Sequence, residues 1–273
     1  MEKKFIGGGL IAGLVAGIVA YVFARVFIEP QVGKAIDYES GRSHAEEMLA
    51  GDHGAHEHGE LFTRSVQENI GAGVGSVVFG LAMGALFAVA FTVLWAYVGR
   101  RHPLVDPRWV AGALAFGGFV AVYLVPFAKY PANPPAVGHD DTIGARSGSY
   151  LTMTLVSVAL AIAAVVLAFW LMPRLGGLWA LVSGVAAYVV GTGVAMAALP
   201  SFDEVPTALR SGETIVYPGF PGDVIGDFRF LSLANQMILW SVLGLVFAVV
   251  LTRIARRADA DSSRTTSEVG ALR

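Results

Sequence analysis

Apolar and polar positions fall along this chain in long blocks, without the short alternation of strands. Six blocks are apolar and nearly uncharged: Phe5 to Ile28, Ile70 to Val98, Trp109 to Ala128, Tyr150 to Met172, Leu178 to Leu199 and Leu231 to Ile254. About 20 such residues cross the hydrocarbon core of a bilayer as a helix. The pattern therefore predicts an all-α fold, a polytopic transmembrane helical bundle of six spans over 1–254, followed by a charged tail, 255–273, without secondary structure. Only Pro173-Arg174-Leu175-Gly176-Gly177 separates the fourth block from the fifth, which reads as a tight turn between antiparallel spans. The first block follows Lys3 and Lys4 as a leader would. Its apolar run is too long for one, and no small-residue cleavage site follows, so it is read as a span.

Glycine spacing refines the picture of the first two spans. Gly9, Gly13 and Gly17 make two successive GxxxG steps, and Gly71, Gly75, Gly80 and Gly84 line the second span. Small residues four apart give a helix a smooth face for close backbone approach. These faces serve packing within the bundle or the docking of a small membrane subunit. Pro126 is expected to bend the third span by removing a backbone hydrogen bond.

Composition agrees: of 273 residues, 55% are hydrophobic and 15% charged, where a soluble domain carries about 25% charged. The net charge of −2 argues against a nucleic-acid partner, since no basic face exists to neutralise phosphates. With no cysteine, any metal is held by nitrogen and oxygen. Lysine and arginine are dense in 1–4, 99–108, 173–177 and 253–273, with 11 in 40 residues, and sparse in 29–65, 129–149 and 200–230, with 7 in 89. This bias places both termini in the cytoplasm and the three longer loops outside a cell membrane. Those loops hold 15 of the 21 acids, which concentrates cations at the outer mouth.

The chemistry gathers in HAEEMLAGDHGAHEHGE, His44 to Glu60, which holds four of the six histidines. His44, His53, His56 and His58 lie among carboxylates and glycines, and neutral imidazole suits borderline divalent metals. The competing reading is a hydrophilic loop that resembles a metal tract only in composition. His139, Asp140 and Asp141 form either a second metal contact or the start of a helix. Arg25 with Glu29, and Arg64 with Glu68, are explained as local pairs one turn apart. Alternatively, Glu29 and Glu68 join Asp203, Glu204, Asn235 and Gln236 in an oxygen-lined vestibule below the histidines. No acid or base lies in the middle of a span, so no buried proton relay is visible. No GxxxxGK[ST] loop indicates an ATPase.

Several motifs together resemble the cobalt transporter subunit family CbtA. They are Glu29-Pro30 with Ala35-Ile36 and Glu39, the histidine-rich stretch, Arg64-Ser65-Val66-Gln67, and YPANPPAVG from Tyr130 to Gly138 with Asp141-Thr142-Ile143 and Arg146. Leu199-Pro200, Glu204-Val205-Pro206, Phe228-Arg229, Ser232-Leu233 and Gln236 complete the set. The resemblance implies an inner-membrane permease component for cobalt, tied to cobalamin synthesis and accompanied by a small single-span subunit with its own histidines. It also implies five spans, where the apolar blocks number six.

Residues and resemblance converge on a non-enzymatic permease subunit in the lipid bilayer. It has no permanent cofactor, and Co²⁺, or Ni²⁺ or Zn²⁺, is its transported or transiently bound ion. A non-transporting membrane metal sensor or scaffold acting through a partner is the alternative. A potential of about 100 mV supplies roughly 4.6 kcal/mol to an entering divalent cation, enough for uptake to run without nucleotide.

Overall fold

The structure, a computed structural model, describes residues 2–51 and 70–271, with side chains for 3–51 and 70–256. The chain is 83% helical. Among the described residues five helices are long and apolar enough to cross a membrane: Lys3–Ala50, Ala72–Arg101, Pro107–Lys129, Asp140–Ala198 and Gly222–Arg256. The count is five where six blocks were expected, because the fourth helix takes in two of them. Within it α6 (Ile143–Ala198) contains Pro173 and then Gly176, which sits at φ 76°, ψ 164°. That left-handed backbone is open to glycine and reverses the chain. The limbs then meet: the Ser157 and Tyr188 hydroxyls hydrogen bond at 2.8 Å, and Gly184 lies against Ala164 and Ala168.

The remaining boundaries differ from expectation in instructive ways. The first span, α1 (Glu2–Phe23), does not give way to a loop. It widens into the π-helical segment Ala24–Ile28 and continues as α2 (Glu29–Ala50) to Gly51, which caps it at φ 66°. α3 (Ala72–Arg101) is the expected second span. The third comprises α4 (Pro107–Gly118), the π-helical segment Phe119–Leu124 and α5 (Val125–Lys129). Here Val125 N–H bonds to the Val120 carbonyl, and the wide turn just before Pro126 accommodates a ring that excludes regular α bonding. The last helix, α7 (Gly222–Ala271), starts well before Leu231. Its first turns bury Val224 and Ile225, burial that Gly222 and Gly226 disguise in the sequence. It also extends to Ala271, where a tail without secondary structure was expected; no proline or glycine interrupts 255–269. Strands β1 (Leu209–Ser211) and β2 (Thr214–Tyr217) form a hairpin that an all-α reading does not include. Its two-residue turn places Gly212 at φ 62°, as such turns require.

Two compact units divide the chain, Met1–Phe23 with Arg64–Gly117 and Asn235–Arg273, and Ala24–Thr63 with Gly118–Ala234. In the first, α1 and α3 lie antiparallel in backbone contact. A methyl group on Gly9 would overlap the Gly84 carbonyl oxygen, one on Gly13 that of Gly80, and one on Gly17 would lie 2.7 Å from that of Ser76. The reciprocal overlaps occur at Gly80 and Gly84, whereas Gly75 faces open space. Gly71 is the residue before α3. The expected packing role thus belongs to five of the seven glycines. Beside this seam Phe91 and Phe247 are fully buried, with ring centroids 4.9 Å apart, and Phe5 and Phe87 add edge contacts.

Substitution of Gly13 or Gly84 by valine forces the two backbones apart, and overpacking of this kind costs about 1–3 kcal/mol or more. Thermal denaturation in detergent should show lowered midpoints for both variants and none for Gly75→Ala.

Candidate functional site

Several motifs scattered through the sequence come together in the second unit. α2 presents Gln31, Ala35, Tyr38 and Arg42 along one stripe, at helical spacing. Ala35 and Tyr38 are buried in a cluster with Val137, Phe220, Val224 and Ile225. Tyr38 meets the Phe220 ring edge-on at 4.8 Å and donates its hydroxyl to the Pro218 carbonyl at 3.0 Å. One turn on, Arg42 Nη1 donates to the Thr207 carbonyl at 2.7 Å, while its Nε pairs with Glu46 at 2.8 Å. Between them Gly41 has no side chain to obstruct the Tyr217 ring. At the start of the stripe, buried Gln31 donates to Asp227 at 3.4 Å and accepts from Lys34 at 3.3 Å.

The YPANPPAVG segment is stapled at both ends. Tyr130 donates to the Pro200 carbonyl at 2.7 Å and Lys129 to Ser201 at 2.8 Å. Asn133 accepts from Arg229 at 2.7 Å, and Val137 enters the apolar cluster. At the far end one oxygen of Glu204 accepts the His139 backbone N–H at 2.8 Å, lies 2.9 Å from the Thr142 hydroxyl and 3.4 Å from Arg146 Nε. Thr142 has a single hydroxyl proton, which goes to Glu204 or to the His139 carbonyl 2.9 Å away; it accepts from Arg146 Nε at 3.1 Å. Arg146 also donates to the His139 carbonyl at 3.0 Å. Its guanidinium occupies the space a side chain at residue 138 would need, and Gly138 has φ 126°, so glycine is required there twice over. The His139 amide, with help from the Thr142 hydroxyl and Arg146, holds the Glu204 carboxyl below its ordinary range.

This geometry redistributes the candidate residues. Glu204 is a structural clasp whose charge Arg146 offsets, so it is poorly suited to receiving a cation in a vestibule. Asp203 beside it is exposed. Glu29 opens α2 in this unit, whereas Asn235 and Gln236 belong to the other, where Asn235 Oδ1 is buried without a hydrogen-bond partner among the described residues. His139 contributes its backbone to the clasp, and Asp140 and Asp141 form a short 3₁₀ turn leading into α6, which is the helix-start alternative. His44 is exposed near the end of α2, so this member of the tract stands on a helix and not in a loop. His53, His56, His58 and Glu68 lie outside the described residues. Among the described residues no three His, Asp or Glu side chains are placed to hold a metal.

Sequence reading missed Gln31, Tyr38, Arg42, Asn133, Arg146 and Asp227 as site-building residues. Four positions on α2 carried a usable signal, the 31, 35, 38, 42 spacing, obscured by the high charge of the segment around it.

Long apolar helices tied together by polar clasps at their ends define a multi-pass, all-α membrane protein. Within that class the family described as "Probable cobalt transporter subunit (CbtA)" matches residues 2–252, and the chain belongs to it. No curated protein and no solved structure matches.

The clasp carries a definite pH dependence. Because the Glu204 pKa is lowered in the folded state, its stabilisation is complete above the ordinary value of 4.5 and is lost as pH falls through the lower folded value. Hydrogen exchange at the His139 amide should therefore be protected at neutral pH and lose that protection as acidification passes through the lowered carboxyl value, after correction for intrinsic rates. In Glu204→Gln the amide should exchange faster at neutral pH and show little further change on acidification.

Proposed function

We propose that the chain is a permease subunit for uptake of a divalent transition metal, foremost Co²⁺ for cobalamin synthesis, and that the tract from His44 to Glu60 captures the ion outside the membrane. Family membership supports the cargo. The observation that carries the capture role is the placement of α2. Its first four turns are fastened within the second unit through Gln31, Tyr38 and Arg42, and from Ser43 onward the helix is largely exposed as it leads into the tract. His44 and Glu47, one turn apart on that end, offer an imidazole and a carboxylate to an ion that His53, His56 and His58 also grip. The tract is thus tethered to a fixed support, which limits how far a captured ion travels from the membrane protein. Asp203 and Glu29 supply negative charge for the next step inward.

In this reading both termini are cytoplasmic and the tract is extracytoplasmic. A small single-span, histidine-bearing subunit completes the transporter. Nitrogen and oxygen ligands bind nickel and copper at least as tightly as cobalt, so selectivity comes from geometry and supply, not from the strength of the tract.

Cells expressing the gene together with its partner should accumulate radiolabelled cobalt faster than cells lacking it. Joint replacement of His53, His56 and His58 by alanine should cut uptake several-fold at limiting cobalt and little at saturating cobalt. Uptake unaffected by the gene would favour a sensor or scaffold. The chain has no cysteine, so His53→Cys creates a unique thiol. An impermeant maleimide should label it in intact protoplasts, and labelling only after lysis would reverse the orientation.

A further inference from the structure

We propose that the turn joining α3 to α4, together with the start of α1, is a binding surface for anionic phospholipid headgroups. α3 closes with Arg100 and Arg101, His102 and Pro103 follow, and α4 opens with Pro107 and Arg108, all three arginines being exposed. The antiparallel glycine seam pairs Gly9 with Gly84 and Gly13 with Gly80, and Phe5 meets Phe91 at 5.5 Å. Exposed Lys3 and Lys4 therefore stand at the same end of the helix pair as Arg100 and Arg101. The acid of the turn, Asp106, is committed to Arg108 through its Nε at 2.8 Å and its Nη2, and accepts the Arg108 backbone N–H at 2.9 Å. Arg100 and the two lysines are exposed to an outside partner, and exposed Arg101 holds its guanidinium 4.5 Å over the Tyr97 ring.

Apolar side chains at the same turn say what that partner is. Leu104 is 100% exposed and Trp109 79% exposed, with Val105 between them. A soluble phosphate or an acidic protein gives no reason for a fully bared leucine beside a bared tryptophan. The interface of a bilayer does: indole and leucine settle at the headgroup and acyl boundary while arginine and lysine reach the phosphates. A basic residue near an anionic membrane surface enriches the charged lipid about five-fold. The inference is independent of the cargo, since it concerns the first unit alone.

The test uses the full chain in nanodiscs, with Trp109 emission taken as the difference between the protein and Trp109→Phe. Dibrominated phosphatidylglycerol should quench that emission about five-fold or more strongly than dibrominated phosphatidylcholine at equal mole fraction. Arg100→Gln/Arg101→Gln should bring the two toward equality, and Arg100→Lys/Arg101→Lys should keep the preference, because charge is retained. Equal quenching by both lipids in the unaltered protein overturns the proposal. So does a preference abolished by millimolar inorganic phosphate at constant ionic strength, which would mark a site for the soluble anion, or a preference unchanged in the glutamine variant.

Discussion

Inside a bilayer no water is present to satisfy a backbone N–H or carbonyl, so each segment that crosses must bond to itself. That constraint explains why helices here persist where the sequence suggests interruption. Around residue 24 and again around residue 119 the chain stays helical and widens to π geometry. At Gly176 the backbone leaves helical space within a long apolar helix. Association cannot draw on water exclusion within the hydrocarbon, and the first unit relies instead on close fit. α1 and α3 approach until a Cβ on the glycine face of either would overlap a carbonyl oxygen of the other, a closeness at which dispersion accumulates.

Polar work is correspondingly displaced to the segments outside the apolar blocks. In the second unit, chain segments far apart in sequence are joined by charge-assisted or carbonyl hydrogen bonds: Arg42 to Thr207, Arg229 to Asn133, and His139 with Arg146 to Glu204. Several of the motifs behind the resemblance lie in this assembly, with Ala35, Tyr130, Asn133, Val137, Thr142, Arg146, Pro200, Glu204 and Arg229 all making contacts there. A short run such as YPANPPAVG is restrictive because five of its nine positions have a structural duty. Tyr130 and Asn133 are hydrogen-bonding groups, Val137 is apolar filling, Ala136 at φ 64° and Gly138 at φ 126° hold unusual backbone, and Gly138 also makes room for a guanidinium.

An acidic residue in an outer loop suggests a cation path, and Glu204 was a natural candidate. Its carboxylate is instead paired within the fold, while less conspicuous Gln31, buried on α2, donates to exposed Asp227 on α7. Acid count alone describes the long-range field at the mouth; it does not say which carboxylates remain available to a ligand.

What the sequence by itself determined was whatever depends on local composition and period. The apolar blocks, the turn at Pro173 to Gly177, and the glycine face of α1 follow from the hydrocarbon solvent and from residue size, which act position by position. Tertiary structure alone decided the rest: that the charged segment after Ile28 stays helical because Ala35 and Tyr38 find a partner surface, that residues 222–230 belong to the last helix, and that Gly80 and Gly84 meet α1 while Gly75 does not. Each of these turns on which side chain a distant part of the chain brings near, and no pattern along one stretch encodes that.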